Sequence, residues 1–544
     1  MPFLRRSSSH RAPPAAGRPT IPGRLRARPA RAARISLPAA GLLCAAGLAA
    51  SAAAFPNTAS DASQQWYLAA DNAWTAWAIE PRLAPVKVAV IDSGIDAGDP
   101  AFAGRIAAGR SFVPASSWRT DENGHGTFVA GLIAASPPGG QGMAGIAFNA
   151  KLLVAKVVQG DGNVSAAAEA RAILWAVAEG ARVINLSLGA LRDPQDAEFD
   201  GYSQVEHDAV EYAASRGVVV VAAVGNGTNA PKQPWDYADW PAALPHVLGV
   251  AAVNRDGSVP AFSNRDAAFV DIAAPGVGIF STIPRNLVVA SDPGCNGEPF
   301  SNCGPAWLSD AEGTSFAAPQ VAAAAALLLG VDPALTGDQV DWLLERSSTD
   351  VNAASGCAQC PSGRDALTGW GLLDVKRAVD TLCAGAALPA PATYEPNDSV
   401  GDAFPLGPLP RTLTSSLDFW DDPTDFYSLV LPRGAQVVAR LGAGDAAGLV
   451  LRLWAPGTPR AATSDPHSSQ LVATSTLAGG ERVLRATTAA AGRYYLEILD
   501  GAPSRFPATY ALAVSLGTTA ASPLPAPPAA APPPAGASAG LSCP

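Results

Sequence analysis

The feature that most constrains the fold is a series of short, β-branched apolar runs separated by helix-like stretches. Runs of this kind are typical of strands that are buried on both faces of a parallel sheet. Their alternation with helices predicts an α/β domain with a doubly wound, mainly parallel sheet. In such domains catalytic groups gather at the carboxyl ends of the strands. The runs lie at 86–91, 152–158, 183–188, 218–223, 247–253 and 270–274, and the helix-like stretches at 166–179 and 204–216.

After residue 383 the pattern changes. An Ala/Pro-rich linker at 384–393 is followed by short runs that alternate apolar and polar residues. Seven such runs within 394–516 predict a small all-β sandwich domain. From residue 517 to 544 the chain is rich in proline and alanine, which predicts an extended, disordered tail. The runs lie at 425–431, 436–441, 449–454, 471–476, 482–487, 494–499 and 509–516.

Residues 1–54 have the composition of a targeting segment. They hold nine arginines and no acidic residue, and an apolar stretch at 35–50 leads to small residues ending at Ala54. This pattern predicts a bacterial secretory signal that is cleaved near Ala54. An organellar transit peptide, or a true start further downstream, are the alternatives. The first folded domain would then occupy residues 55–383.

Charge and cysteine content narrow the function classes. Beyond residue 54 the chain carries 28 basic against 47 acidic residues, so we expect no nucleic-acid partner. No apolar stretch outside the leader has the composition of a membrane span. In an exported chain the six cysteines beyond the leader predict disulfides, with Cys357 and Cys360 forming a local staple unless they are redox-active or half of a zinc site. The six are Cys295, Cys303, Cys357, Cys360, Cys383 and Cys543.

Four polar residues stand in glycine-bearing turns. Asp92 directly follows the first apolar run, and His125 lies between two glycines. Asn226 also lies between glycines, and Ser315 follows Gly313-Thr314 at the start of an alanine-rich run. Each alone has an ordinary explanation, as a turn aspartate, a residue at positive φ or a helix cap. Together, the order aspartate, histidine, serine matches one of the known chain orders of a catalytic triad.

Residues 64–382 resemble the subtilisin-like (subtilase) serine peptidases in their Asp-Ser-Gly-Ile, Gly-His-Gly-Thr, Gly-Asn-Gly and Gly-Thr-Ser-Phe-Ala-Ala-Pro blocks. The resemblance implies a secreted, monomeric serine endopeptidase that acts on proteins or peptides and needs no cofactor for its chemistry. Ser315 would be the nucleophile, His125 the general base and Asp92 the residue that orients His125. The Asn226 side chain and the Ser315 backbone N–H would stabilise the oxyanion.

The same resemblance implies a substrate-binding cleft. Two segments would pair with an extended substrate and wall the pocket for the side chain before the scissile bond. The alignment also places Asp239 at the floor of that pocket, where a carboxylate would favour lysine or arginine. The alternative for Asp239 is a solvated turn aspartate. The two segments are Ser187, Leu188, Gly189 and Ala223, Val224, Gly225.

Some features depart from the resemblance. Only 37 residues separate Ala54 from Asp92, which leaves no room for the chaperone propeptide of many secreted relatives. The stretch 131–147 lacks the residues for a calcium loop, so no metal ligand is named, although structural calcium remains an expectation from the family. An insertion at 287–308, with Cys295 and Cys303, predicts a disulfide-pinned loop near the mouth of the active site.

The second domain has a resemblance of its own. Residues 394–398 and 421–427 resemble blocks of the bacterial pre-peptidase C-terminal domain, and their carboxylates either bind calcium or form polar turns. Two other functions stay open at this point. One is a dedicated processing peptidase or transpeptidase of the same fold, and the other is a catalytically inert surface-binding protein.

Overall fold

The computed structural model describes only part of the chain. The N-terminal segment apart from residues 4–6, the insertion at 288–307 and the tail from residue 518 onward lie outside the described residues. The predictions made for those segments are therefore not addressed by the structure. The described residues are 4–6, 64–77, 83–136, 142–160, 162–196, 198–228, 230–284, 287, 308–389, 394, 397, 399–417, 424–443, 448–458, 469–500 and 508–517.

The first domain is built on a seven-stranded sheet in which all neighbouring strands are parallel. One short strand, β1 (Leu4–Arg6), belongs to the N-terminal segment and pairs with strands of this domain. The strands of the domain itself are β2 (Val86–Asp92), β3 (Ile106–Ser111), β4 (Ala150–Lys156), β5 (Asn163–Val164), β6 (Val183–Leu186), β7 (Leu188–Gly189), β8 (Val219–Ala223), β9 (Val247–Val253), β10 (Ile272–Pro275), β11 (Ile279–Thr282) and β12 (Leu308–Ala311). The order in the large sheet is β10-β9-β8-β6-β2-β4-β3. The chain places β3 and β4 on one side of β2 and then β6, β8, β9 and β10 on the other. The carboxyl end of β2 therefore lies at the topological switch point where such sheets bind ligands.

Helices cover both faces of this sheet. They are α1 (Tyr67–Ala70), α2 (Ala73–Ala76), α3 (His125–Ala134), α4 (Ala166–Ala178), α5 (Gln204–Ala214), α6 (Thr314–Val331), α7 (Gly337–Ser347) and α8 (Val375–Cys383). Local sequence determines where two of these helices begin. Ser165 caps the N-terminus of α4, and Thr336 forms a capping box with Gln339 at the N-terminus of α7. The predicted helices at 166–179 and 204–216 are therefore present with slightly earlier ends.

The side chains of β2 show the double winding directly. Val88 and Val90 pack into the core that includes α3 and α6, whereas Ala89 and Ile91 pack into the core that includes α4 and α5. Because successive side chains of a strand point to opposite faces, a strand buried on both faces must be apolar throughout. The predicted doubly wound parallel sheet is confirmed.

Helix α6 lies inside this core. Among the described residues it is the one helix long and apolar enough to cross a membrane, and 94% of it is buried in the fold. Its apolarity is explained by contact with the protein interior, because a helix that is apolar all round must be surrounded by other elements.

The second domain is a sandwich of two five-stranded sheets. The predicted all-β sandwich is confirmed, and where seven or so strands were expected the described chain forms ten. Strands at Phe404–Pro405 and Arg411–Leu417 were missed, the latter because its Thr/Ser-rich sequence has few apolar positions, and the 471–476 run is divided at Ser475. The strands are β13 (Phe404–Pro405), β14 (Arg411–Leu417), β15 (Thr424–Leu431), β16 (Gln436–Ala443), β17 (Leu449–Trp454), β18 (Leu471–Thr474), β19 (Thr476–Ala478), β20 (Glu481–Thr487), β21 (Gly492–Asp500) and β22 (Ala508–Leu516).

The cysteines show part of the predicted pattern. Cys357 and Cys360 form a disulfide, as expected for a local staple, and both are buried. Cys383 is also disulfide-bonded. Cys295, Cys303 and Cys543 lie outside the described residues.

Candidate active site

Asp92 and His125 form a buried pair at the switch point of the sheet. The Nδ1 atom of His125 lies 2.9 Å from each carboxylate oxygen of Asp92, and both side chains are about 1% exposed. With a carboxylate facing Nδ1, the hydrogen of the neutral ring belongs on Nδ1 and the lone pair on Nε2. Within the described chain, Nε2 of His125 has no hydrogen-bond partner. The imidazole is therefore arranged to accept a proton at Nε2.

The glycines beside His125 allow this approach. A Cβ atom on Gly126 would lie 2.3 Å from the carbonyl oxygen of Gly94 and 3.2 Å from Asp92 Cβ. Gly124, the residue before His125, has φ of 90°, which few other residues adopt. The absence of a side chain at Gly126 thus leaves room for the backbone of the Asp92 turn.

Ser315 lies in the first turn of α6 and is almost fully buried. Its hydroxyl donates to the carbonyl of Ser187 at 3.2 Å, and the Ser187 hydroxyl donates back to the Ser315 carbonyl at 2.8 Å. The next residue, Phe316, packs against both His125 and Phe128, with ring centroids 5.4 and 4.5 Å apart. These contacts hold the start of α6 against the start of α3, the helix that carries His125.

Asn226 is oriented by the residue that precedes the serine. Its Oδ1 accepts hydrogen bonds from the backbone N–H of Thr314 at 2.9 Å and from the Thr314 hydroxyl at 2.8 Å. Because a backbone N–H can only donate, the atom that faces it is the amide oxygen. The Nδ2 donor is therefore the other arm of the amide, on the side of Gly313. The fold brings the neighbourhoods of Asn226 and Ser315 together across 88 residues of sequence.

Next to Ser187 lies an edge that binds extended backbone. Strand β7, formed by Leu188 and Gly189, pairs with β1, and β1 also pairs with β5. The result is a three-stranded sheet with the segment Leu4–Arg6 in the middle. The family resemblance implies that β7 pairs with substrate, whereas nothing in the sequence marks β5, which lies on the other side of β1.

The second predicted pocket wall, residues 223–225, is fixed by hydrogen bonds from Asp239 and Asn264. The carbonyl of Val224 accepts hydrogen bonds from Asp239 N at 2.8 Å and from Asn264 Nδ2 at 3.0 Å. The carbonyl of Gly225 accepts one from Asn264 N at 3.0 Å. Ala223 is the last residue of β8. The segment 223–225 is thereby fixed in place beside Asp239.

Asp239 is a buried carboxylate directly behind this segment. A Cβ on Gly225 would lie 2.2 Å from Asp239 Oδ2, so only glycine fits there. Asn264 Nδ2 donates to Asp239 Oδ1 at 3.0 Å, and the backbone N–H of Arg192 also donates to this carboxylate. Burial raises the pKa of Asp239 well above its usual range, against the opposing effect of these two donors. Asp239 is therefore not a solvated turn residue.

The described residues contain no cluster of three or more His, Cys, Asp or Glu side chains placed to bind a metal ion. The structure thus adds no ligand set to the calcium expectation.

Sequence comparison identifies the family. Residues 84–371 match the model of the subtilase family, peptidase S8. The chain belongs to the subtilase family. This span contains the Asp92–His125 pair, Asn226 and Ser315.

Two bacterial proteases, Epr and subtilisin DY, support the same assignment. The chain is 33% identical over 328 residues to the minor extracellular protease Epr of Bacillus subtilis, which covers 60% of this chain and 44% of Epr. It is 35% identical over 268 residues to subtilisin DY of Bacillus licheniformis, which covers 49% of this chain and 85% of subtilisin DY. A solved lanthipeptide protease aligns with a TM-score of 0.48 at 25% identity, over 59% of this chain and 95% of that protein. The matched region thus spans less than half the length of Epr.

Several residues of this subtilase site were not singled out from the sequence. Thr314 orients Asn226, Asn264 binds Asp239, and Ser93 and Asp121 connect the Asp92 turn to the His125 helix. Their roles depend on contacts between segments that are distant along the chain, and no local pattern distinguishes them from ordinary turn residues.

Proposed function

We propose that the protein is a secreted serine endopeptidase that hydrolyses peptide bonds in proteins through an acyl-enzyme. The observation that carries the proposal is the buried Asp92–His125 pair, whose Nε2 atom has no hydrogen-bond partner within the described chain and lies in the same site as the Ser315 helix. Family membership supports the reaction class. The proposed chemistry uses only side chains and backbone groups of this chain, acting as a monomer on protein or peptide substrates.

In the proposed mechanism, the Ser315 hydroxyl leaves the Ser187 carbonyl and donates its proton to His125 Nε2 as it attacks the scissile carbonyl. Asp92 holds the ring in the tautomer that accepts this proton and stabilises the imidazolium that forms. His125 then donates the proton to the leaving amine, and water repeats the sequence on the acyl-enzyme.

The developing oxyanion needs donors that are fixed before the reaction. We assign this role to Asn226 Nδ2 and the Ser315 backbone N–H. Thr314 supports the assignment because its two donors hold the Asn226 amide in one orientation. The Ser315 N–H belongs to the first turn of α6, where backbone donors have no intrahelical acceptor and the helix dipole favours negative charge.

The export assignment rests on the leader and on the relatives. The arginine-rich, acid-free segment followed by an apolar stretch is typical of a secretory signal. A matched relative is named as an extracellular protease. We propose an extracellular or periplasmic location, which cell fractionation would test.

We also propose that Asp239 selects basic side chains before the scissile bond, with Ser187–Gly189 and 223–225 as the pocket walls. Asp239 lies behind Gly225, and the backbone of Trp240 pairs with Ala190 at the end of β7. Because burial raises the pKa of Asp239, its carboxyl stays neutral to a higher pH than an exposed aspartate. A cationic side chain would bind the deprotonated form. Selectivity for arginyl over phenylalanyl chromogenic peptides should rise with pH. It should be lost in Asp239→Asn, and a phenylalanyl preference that is equal in both proteins would refute the idea.

For the second domain we propose the pre-peptidase C-terminal type. The sandwich of two sheets supports it. In one of the two matching blocks, however, the Asp425 carboxylate already accepts a hydrogen bond from the buried Tyr510 hydroxyl. From the family resemblance we also propose structural calcium, and a fall in Tm after addition of EDTA would support it.

The central test uses Ser315→Ala beside the wild type. The wild type should cleave casein and react with a fluorophosphonate at Ser315, and the variant should do neither while keeping its Tm. Cleavage by the variant would sink the assignment, and an unreactive wild type would favour an inert binding protein. Mass spectrometry of products from a defined peptide would reveal a ligated product if the enzyme is a transpeptidase, and a single cleaved site if it is a dedicated processing peptidase.

A further inference from the structure

Asp121 lies in the loop before α3 and is only 2% exposed. Its carboxylate accepts five hydrogen bonds. Oδ1 accepts from Ser93 Oγ at 2.8 Å, Gly124 N at 2.8 Å and Asn123 N at 3.2 Å. Oδ2 accepts from Thr127 N at 2.8 Å and Thr127 Oγ1 at 2.7 Å. This number of donors fixes the carboxylate, and through it the loop.

These bonds replace a missing helix cap. The N-cap of α3 is Gly124, which has no side chain to accept from the free N–H groups of the first turn. Asp121 accepts the N–H of Thr127, and Ser93 Oγ accepts the N–H of Gly126 at 2.8 Å. The first turn of α3, which begins with His125, is thus capped by two acceptors from outside the helix, Asp121 and Ser93.

Ser93 connects this cap to the other half of the pair. Its backbone N–H donates to Asp92 Oδ1 at 2.6 Å, and its hydroxyl donates to Asp121. One short chain of hydrogen bonds therefore runs from the Asp92 carboxylate through Ser93 and Asp121 to the helix that carries His125. Both ends of the Asp92–His125 hydrogen bond are positioned by it.

We infer that Asp121 is a positioning residue for catalysis, one that sets the Asp92–His125 geometry without contacting substrate. The inference rests on the proposed peptidase function. In Asp121→Asn one oxygen becomes an NH₂ group, which faces either the Ser93 and Gly124 donors or the Thr127 donors. Two donors then oppose each other at close range.

The matched control is Asp365. It is 4% exposed and accepts from Leu367 N at 2.7 Å, Thr368 N at 3.0 Å and Thr368 Oγ1 at 3.2 Å. Within the described part of the chain, the turn at 365–369 makes no hydrogen bond to Asp92, His125, Asn226 or Ser315. Asp365→Asn therefore imposes a similar local penalty away from Asp92 and His125.

The test compares full-length wild type, Asp121→Asn and Asp365→Asn. Because a misplacement of about 1 Å can cost about 100-fold in rate, Asp121→Asn should lower kcat by about 30- to 100-fold with KM within about 3-fold. Asp365→Asn should keep kcat within about 3-fold even if its Tm falls equally. The inference is overturned if Asp121→Asn keeps the kcat of the control, or if only its KM changes.

A second readout does not depend on activity. The proton shared by His125 and Asp92 should give a far-downfield ¹H NMR resonance in the wild type and in Asp365→Asn, and the resonance should be lost or displaced in Asp121→Asn. An inactive wild type would refute the proposed function, and the resonance would still decide the role of Asp121. An unchanged resonance in Asp121→Asn would overturn the inference.

Discussion

Gly126→Ala should separate catalysis from folding more sharply than most single changes, because the new methyl group would collide with the turn that carries Asp92. The added Cβ would lie 2.3 Å from the Gly94 carbonyl oxygen, whereas ordinary contacts begin near 3.4 Å. Either α3 or the turn at Gly94 must therefore move by about 1 Å. The Gly94 turn and α3 are joined through Ser93 and Asp121, so the displacement falls on the Asp92–His125 pair.

A displacement of this size predicts a loss of about 100-fold in kcat, and the overpacking should cost about 1–3 kcal/mol of stability. Initial rates on a chromogenic peptide and a thermal melt would measure the two effects. Gly337→Ala is the control, since its nearest neighbour would be Val218 O at 3.9 Å. If Gly126→Ala keeps kcat within about 3-fold of that control, the described proximity of α3 and the Asp92 turn does not govern catalysis.

Two further predictions concern oxyanion stabilisation and pH. Asn226→Ala should lower kcat by roughly 10²–10³-fold with little change in KM, the loss found when one such donor is removed from subtilisin; steady-state kinetics would check it, and an unchanged kcat would exclude the role. Burial raises the pKa of Asp71 to about 8 from its ordinary 3.8. The native state therefore holds a proton that the unfolded state has lost, and stability should fall as pH rises from about 4 to 8, by up to about 1.4 kcal/mol per pH unit. Asp71→Asn should flatten this fall in chemical denaturation measured across that range, and an equal slope in both proteins would contradict the assignment.

The main elements of the fold follow from local sequence. Strand β2 is apolar at every position that enters a core, so burial on both faces could be read from 86–91 alone. The start of α7 is equally local, because Thr336 and Gln339 satisfy each other's backbone groups. Strand β3 escaped prediction because Ile106–Ser111 is an edge strand with small and charged residues, and only its pairing with β4 makes it a strand.

The residues of the candidate site also divide into those that local sequence marks and those that only the fold reveals. Glycine-bearing turns marked Asp92 and Asn226 after strands and His125 and Ser315 at helix starts, since a tight turn beside a polar group leaves a local pattern. Asp239 could be selected by resemblance, but its burial and its contact with Asn264 are properties of two segments 25 residues apart. Asp121 carried no signal of its own, because an aspartate in a polar loop is ordinary.

What the sequence by itself determined is thus most of the strands and helices of the first domain and its doubly wound class, and it singled out the four residues that we propose as catalytic. What only the tertiary structure decided is how they are held: Thr314 against Asn226, Ser187 against Ser315, and Asp121 with Ser93 between Asp92 and His125. The physical reason is the separation along the chain over which each interaction acts. Backbone propensity and burial act over a few residues and leave periodic patterns, whereas a hydrogen bond across the sheet depends on where the whole fold places its two ends.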